Sequence, residues 1–391
     1  MIYLDNNATT EPLPEVREAV LASLCLGPSN PSSPHAAGEP ARRLLADARE
    51  SVAQLIGASS EQVLFTSSGT EANNLAMNSI ASRHSQSHLL TTPIEHESVR
   101  RKADMLRASG VAVDELPVDS AGRVRLDAAD RMITPEVGLV SVQWVNNETG
   151  TVQPVERIAS LCRSRGVRFH TDAAQAVGKI PVDVASLKPD FLTFTGHKLH
   201  APMGIGVLYF RKSDHLRPVI GGGTQELGLR PGSENLAGIA GLAVACGLRR
   251  QRLLDVVKRM TQLRDAFEAG VLGVCEGACL NTPRDVNRVC NTTNIRFPEV
   301  DGEALLAQLI MQGICCSQGS ACTSQIPEPS HTLLAMGLTA REAYQSIRFS
   351  LSELNTMDDI DGAVETIAAS YTRLKHALCR HENLAKSGGR A

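Results

Sequence analysis

The sequence predicts an α/β protein with a mostly parallel sheet and helices on both faces, joined to a smaller α+β domain. Three observations predict it. Short apolar runs alternate with amphipathic stretches from about residue 63 to residue 210, the pattern of repeated strand–helix units. Each run ends in a polar cluster, and in such sheets ligands gather outside the carboxyl ends of the strands. A long helical pattern follows over about 234–272, and beyond it strands are fewer. We therefore expect a large domain at 15–255, a small one formed by 1–14 and 256–380, and a flexible tail at 381–391.

Taken in order, Tyr3-Leu-Asp-Asn-Asn-Ala-Thr-Thr10 is a short extended segment, and a helix over 15–24 starts after Pro14. The Pro- and Ser-rich stretch 27–34 is a loop. Leu44, Leu45, Ala48, Val52 and Leu55 recur at helical spacing within 36–56, and Gly57 stops that helix. A strand through Phe65 runs into Ser67-Ser-Gly-Thr70 and a helix opens at Glu71. Free N–H groups and hydroxyls then converge as a phosphate requires, although Ser and Thr are also ordinary helix caps. The Gly-Lys-Ser/Thr ending of a Walker loop is absent.

Residues 88–92 read as a strand and 93–108 as a helix, with His96 at the junction. A strand at 111–116 and a strongly apolar one at 138–145 follow. The latter ends in Asn146-Asn-Glu-Thr-Gly150, either a turn or a donor to a ligand oxygen. A helix over 155–165 leads to strands ending at Asp172 and Lys198. After a strand at 204–210 comes the glycine-rich loop 221–233, of a length that is usually functional or flexible. Beyond the long helix we expect strands near 293–297 and 346–350 and helices at 303–312 and 357–379.

The most chemically loaded stretch is Asp190-Phe-Leu-Thr-Phe-Thr-Gly-His-Lys198. A lysine at a strand end beside a partly desolvated pocket becomes available as a nucleophile or base, whereas a solvated surface lysine is the plain alternative. Val167-Arg-Phe-His-Thr-Asp172-Ala-Ala-Gln175 is a second strand with a polar end. A carboxylate and an amine at neighbouring strand ends suit pyridoxal 5'-phosphate, in which the lysine forms a Schiff base and the aspartate keeps the ring nitrogen protonated. The ten cysteines are irregularly spaced with no C-x-x-C pair, so neither a metal site nor a disulfide framework is expected. Cys322 stands apart in a Gly/Ser stretch closed by prolines, where a thiol is exposed and reactive. Cys315 and Cys316, after Ile314, read as buried. Arg348, on a strand of the small domain, is either solvated or a fixed fork for a substrate carboxylate.

Composition limits the remaining classes. With 391 residues, 42% of them hydrophobic, the chain can bury a large core, and its net charge of −3 provides no field for nucleic acid or an anionic membrane. No apolar run approaches the roughly 20 residues of a membrane helix. The start lacks the features of a signal peptide, so a cytoplasmic location is expected. A nicotinamide-dependent enzyme is disfavoured, because no G-x-G-x-x-G follows a strand at the start of the sheet.

Eight motifs in order resemble the cysteine desulfurases of the NifS/IscS type: Tyr3-Leu-Asp-Asn-Asn-Ala-Thr-Thr10, Ser68-Gly-Thr-Glu71, Glu95-His96, Val145-Asn-Asn-Glu148, Asp172-Ala-Ala-Gln175, Thr195-Gly-His-Lys198, Gly319-Ser-Ala-Cys-Thr323 and Ser346-Ile-Arg-Phe349. The resemblance implies the aspartate-aminotransferase-like fold (pyridoxal-phosphate fold type I). It implies Lys198 as the Schiff-base lysine, Asp172 at the ring nitrogen and Gln175 at the ring oxygen. Gly69, Thr70, Thr195 and His197 would hold the phosphate, with Ser233 reaching the phosphate of the other protomer in a homodimer. His96 would stack on the ring and assist proton transfer, Arg348 with Asn147 would bind the carboxylate of L-cysteine, and Cys322 would be the nucleophile.

The implied reaction yields L-alanine and a persulfide on Cys322, carried by a loop to a sulfur-acceptor protein; iron–sulfur assembly, tRNA thiolation and DNA sulfur modification draw on such enzymes. A selenocysteine lyase or an aminotransferase of the same fold would share Lys198 and Asp172 but need not have a mobile loop thiol. Two residues depart from the family pattern: Ala201 stands where a glycine is usual and Met203 where a lysine is.

Overall fold

The computed structural model describes residues 1–82, 88–298, 300–319 and 328–388. In chain order its strands are β1 (Ile2–Tyr3), β2 (Val63–Thr66), β3 (His88–Thr91), β4 (Ala112–Glu115), β5 (Leu139–Ser141), β6 (Arg168–Asp172), β7 (Phe191–Thr195), β8 (Gly206–Phe210), β9 (Cys279–Leu280), β10 (Thr292–Arg296), β11 (Ile314–Cys315) and β12 (Ser346–Ser350). Seven form the central sheet in the order β2-β8-β7-β6-β5-β3-β4. The pairs from β7 across to β4 are parallel, and β8 is antiparallel to both its neighbours.

Both faces of this sheet are covered. Strands β2, β6, β7 and β8 are buried at every residue, as expected of strands packed between helical layers. Because successive side chains point to opposite faces, Phe65, Leu90, Val140, Phe194 and Val207 enter one apolar cluster. Their neighbours Leu64, Leu89, Leu139 and Leu208 enter the other.

A second core gathers Leu4, Phe267, Ile295, Phe297, Leu309, Ile347, Phe349 and Ile367 around the antiparallel sheet β12-β10-β9. The first residues of the chain belong to it, since β1 pairs in parallel with β11. The helix Leu236–Val274 runs without interruption through both cores. Ile239 and Leu242 pack into the first, and Leu263, Phe267 and Val271 into the second. No helix among the described residues is long and apolar enough to cross a membrane.

Several elements differ from expectation for local reasons. The apolar run 138–145 forms only the short β5. Past it the chain stays tethered to β6 through Trp144 N–H donating to Asp172 O (2.8 Å) and turns back across a Val145–Val152 bridge. The helix expected from 93 starts at Glu97, because the His96 side chain caps it by accepting from Ser98 N–H. The helix expected to open at Glu71 starts at Gly69, with Ser68 Oγ accepting from Glu71 N–H. The terminal helix Met357–Gly388 continues past 381, where a frayed tail is expected.

Candidate active site

The C-terminal ends of β2, β6 and β7 open onto a cavity of about 240 Å³. Asp172, the last residue of β6, and Lys198, three residues beyond β7, both line it, as do Gln175, Asn147 and Arg348. A larger groove of about 900 Å³ lies along the helices Pro14–Leu24, Glu39–Ile56 and Leu236–Val274. Its wall is mainly alanine and leucine and gathers no set of convergent reactive groups, so the smaller cavity is the candidate site.

The lysine is positioned by the amino terminus of the chain. Lys198 Nζ donates to the carbonyls of Asn7 (2.5 Å) and Ala8 (2.6 Å). Thr10 holds the same turn by donating its N–H (2.9 Å) and hydroxyl (3.0 Å) to His197 O. The turn itself needs Gly196, because a Cβ there would meet Ile205 Cγ2 at 2.8 Å. On the neighbouring strand end, Asp172 Oδ1 accepts from Ala174 N–H (2.9 Å) and Oδ2 from Asn73 Nδ2 (2.7 Å).

Asn73 lies at the centre of a buried polar relay. Its second Nδ2 hydrogen goes to Ser98 Oγ (2.9 Å), its Oδ1 accepts from the Thr193 hydroxyl, and Ser98 Oγ meets His96 Nδ1 (2.8 Å). Since Ser98 N–H also donates to His96 Nδ1 (3.1 Å), that nitrogen is an acceptor and the ring proton sits on Nε2. Glu95 beside it is fully buried and accepts from Thr92 Oγ1 (2.7 Å) and Gln143 N–H (2.9 Å), while its Oε2 has no partner. Burial, reinforced by the charges of Asp172 and Glu115, raises this carboxyl from 4.5 to about 8, so it is protonated at neutral pH.

At the other end, the helix Gly69–Asn78 starts at the cavity, which Gly69 and Thr70 line, and the first N–H groups of a helix have no intrahelical acceptor. The approach is close: a Cβ on Gly206 would sit 2.3 Å from the carbonyl carbon of Ser68. Thr195 lines the cavity, and its Oγ1 donates to Ile205 O (2.9 Å). His197 meets Thr9 Oγ1 (3.2 Å), and burial with help from nearby Lys198, Lys179 and His96 lowers it to about 4. It therefore offers a neutral N–H donor at neutral pH.

Arg348, on β12, is held by Asp5 Oδ1 (2.6 Å from Nη2) and Asn147 O (3.2 Å from Nη1), and its Nε is buried without a partner. A buried guanidinium at the cavity wall with an unused N–H fits an anionic ligand group. Cys322 lies outside the described residues. In the described residues on either side of it, Ser317 Oγ donates to Asp5 (2.9 Å), the partner of Arg348, and Ser330 Oγ donates to Glu148 (2.5 Å), next to Asn147.

Ser233 is the residue expected to reach the phosphate of the other protomer. It is exposed beside a separate small cavity with Arg230 and Asn235, and does not line this one. Asn7, Asn73 and Lys179 join the site although sequence reasoning did not single them out. Of the two departures, Ala201 is buried against the Gly196 turn and Met203 is 72% exposed. Cys316 is buried as expected, and Cys315 is half-exposed.

The profile of the aminotransferase class-V family matches residues 2–362. The chain belongs to this family. Within this class-V family it is 43% identical over 377 residues to the cysteine desulfurase of Nostoc sp., covering 96% of this chain and 94% of that one. It is 42% identical, with the same coverage, to the cysteine desulfurase NifS of Azotobacter vinelandii. The solved structure of a NifS-like protein superposes with a TM-score of 0.89 at 35% identity, covering 95% of this chain and all of that one. The class-V chain thus sits in the cysteine desulfurase branch, with the fold predicted above.

The residues fit a pyridoxal-phosphate group. One cavity joins an amine, a carboxylate on a strand end, the first turn of a helix and an arginine whose Nε has no partner among the described residues.

Proposed function

We propose that the protein is a pyridoxal-phosphate-dependent cysteine desulfurase that converts L-cysteine to L-alanine and passes the sulfur to Cys322 as a persulfide. The observation that carries this reading is the single cavity lined by Lys198, Asp172, Gln175, His96 and Arg348 at the strand ends. When bound, pyridoxal 5'-phosphate would supply the electron sink for the substrate α-carbon. Lys198 would anchor it and take the proton from the substrate α-carbon. Asp172 would face the ring nitrogen, Gln175 the ring oxygen and His96 the ring itself. The N–H groups of Gly69 and Thr70, with Thr195 and His197, would hold the phosphate.

Arg348 with Asn147 would grip the carboxylate of L-cysteine, a charge-assisted contact that fixes the substrate. The Cys322 thiolate would then attack the substrate sulfur. A sulfur–sulfur bond forms, the Cβ–S bond breaks, and the carbon is protonated to the methyl group of alanine. The described residues on either side of Cys322 end next to Asp5 and Glu148, which supports access of that loop to the cavity. In this reading Ser233 reaches the phosphate of the other protomer in a homodimer, and the sulfur leaves on an acceptor protein.

The test is direct. Protein loaded with pyridoxal 5'-phosphate should be yellow and should form alanine and sulfide from L-cysteine in the presence of a thiol reductant. Cys322→Ala should keep the colour and abolish sulfur release; unchanged sulfur release would refute the desulfurase reading.

A further inference from the structure

Lys179 is a buried lysine with no role in the chemistry above. Its Nζ donates to Gln175 Oε1 (2.5 Å) and to Asn7 Oδ1 (3.3 Å). Gln175 in turn donates through Nε2 to Asn7 O (3.1 Å), the carbonyl that also accepts from Lys198 Nζ. Lys179, Gln175 and Asn7 close a ring of hydrogen bonds, and Lys198 joins it at the Asn7 carbonyl.

These partners fix which way the Gln175 amide faces. An amine that donates to Gln175 needs an acceptor, so the amide oxygen faces Lys179. A backbone carbonyl only accepts, so the amide nitrogen faces Asn7. That leaves the second Nε2 hydrogen of Gln175, which lines the cavity, for an acceptor on a ligand. Burial lowers Lys179 to about 7, with Lys198, Arg249 and Arg348 acting the same way and Cys290 opposing. Even the neutral amine keeps two N–H bonds, one for each acceptor it meets.

We propose that Lys179 is a positioning residue that locks the Gln175 amide with its N–H toward the ring oxygen of the bound cofactor and ties it to the Asn7 carbonyl that holds Lys198. Without Lys179 the amide keeps only its bond to the Asn7 carbonyl, its buried oxygen loses its donor, and its aim toward the ring oxygen loosens. The inference rests on the cavity being a pyridoxal-phosphate site, and its test reads the cofactor rather than turnover.

The experiment is a double-mutant cycle on Lys179→Met and Gln175→Ala, reading the affinity for pyridoxal 5'-phosphate and the visible absorption maximum of the loaded protein. Each single variant should bind about tenfold more weakly, the loss of one well-placed hydrogen bond, and shift the band. The double variant should be no worse than Gln175→Ala alone. Losses that multiply in the double variant, or a Lys179→Met protein with unaltered band and affinity, would overturn the proposal by reducing Lys179 to a structural residue. If Lys179→Met does not fold, Lys179→Gln enters the same cycle with the same criterion. Wild-type protein that acquires no visible band would instead remove the cofactor site itself, and this proposal with it.

Discussion

At the scale of single residues, Arg348 and Glu95 show how burial sets chemistry in opposite ways. Arg348 pairs with Asp5 and donates to the Asn147 carbonyl, and its Nε is the donor proposed for a substrate carboxylate. Replacing it by lysine removes the planar fork. Arg348→Lys is expected to raise KM for L-cysteine at least roughly tenfold while the colour of the loaded protein persists; an unchanged KM, measured by alanine formation, would remove Arg348 from substrate binding. Glu95 has no cation partner and takes up a proton instead, its carboxyl raised by burial from 4.5 to about 8. The folded state therefore binds one proton more than the unfolded state between those values. The stability this contributes is complete below the unfolded value and is lost as pH rises through the folded one. Glu95→Gln, which cannot ionise, should gain on the wild type by up to about 1.4 kcal/mol per pH unit between about pH 5 and 8. Denaturant unfolding at several pH values checks this, and parallel curves for the two proteins would contradict the assignment.

At the scale of elements, the site depends on how closely strand ends and helix starts meet. Gly206, the first residue of β8, lies against the backbone of Ser68, and the contact has no flexible side chain to move aside. Gly206→Ala should cost about 3 kcal/mol and push the start of the helix Gly69–Asn78 away from the cavity. The melting temperature should fall, and affinity for pyridoxal 5'-phosphate should fall with it. Affinity preserved alongside reduced stability would mean that this helix start does not hold the phosphate. The same closeness explains why His96 serves two elements: its Nδ1 caps the helix Glu97–Ala108, and its ring lines the cavity.

For the whole molecule, two cores share one helix and are stitched by the first ten residues. Asn7 alone bonds to Asn147, Thr292 and Asn291, receives Lys179 and Lys198, and donates its N–H to Ser350 Oγ. Ligand binding at such a junction stabilises the assembled fold, so saturation with pyridoxal 5'-phosphate at about 100 times its dissociation constant should add roughly 2.7 kcal/mol, seen as a higher melting temperature. The homodimer proposal has its own check. Ser233→Ala should weaken cofactor binding several-fold while sedimentation still reports a dimer; a monomer in solution, or undiminished affinity, would remove Ser233 from the phosphate site.

Much was legible in the chain itself. Apolar runs that stop at Thr66, Asp172 and Thr195 announce buried strands, and the Ser68-Gly-Thr, Asp172-Ala-Ala-Gln and Gly-His-Lys clusters announce chemistry at their ends, because both signals are local in sequence. The shortened β5 and the start of the helix at Glu97 were not legible. There a bridge to Val152 and a side-chain cap override the apolar pattern. The sequence by itself determined the fold class, the order of the strand-end motifs and the family. Only the tertiary structure decided that Asn7, Asn73 and Lys179 belong to the site and which way the amide of Gln175 faces. Those assignments rest on hydrogen bonds between residues as far as 284 positions apart, which exist only once strand order and register bring the partners within reach.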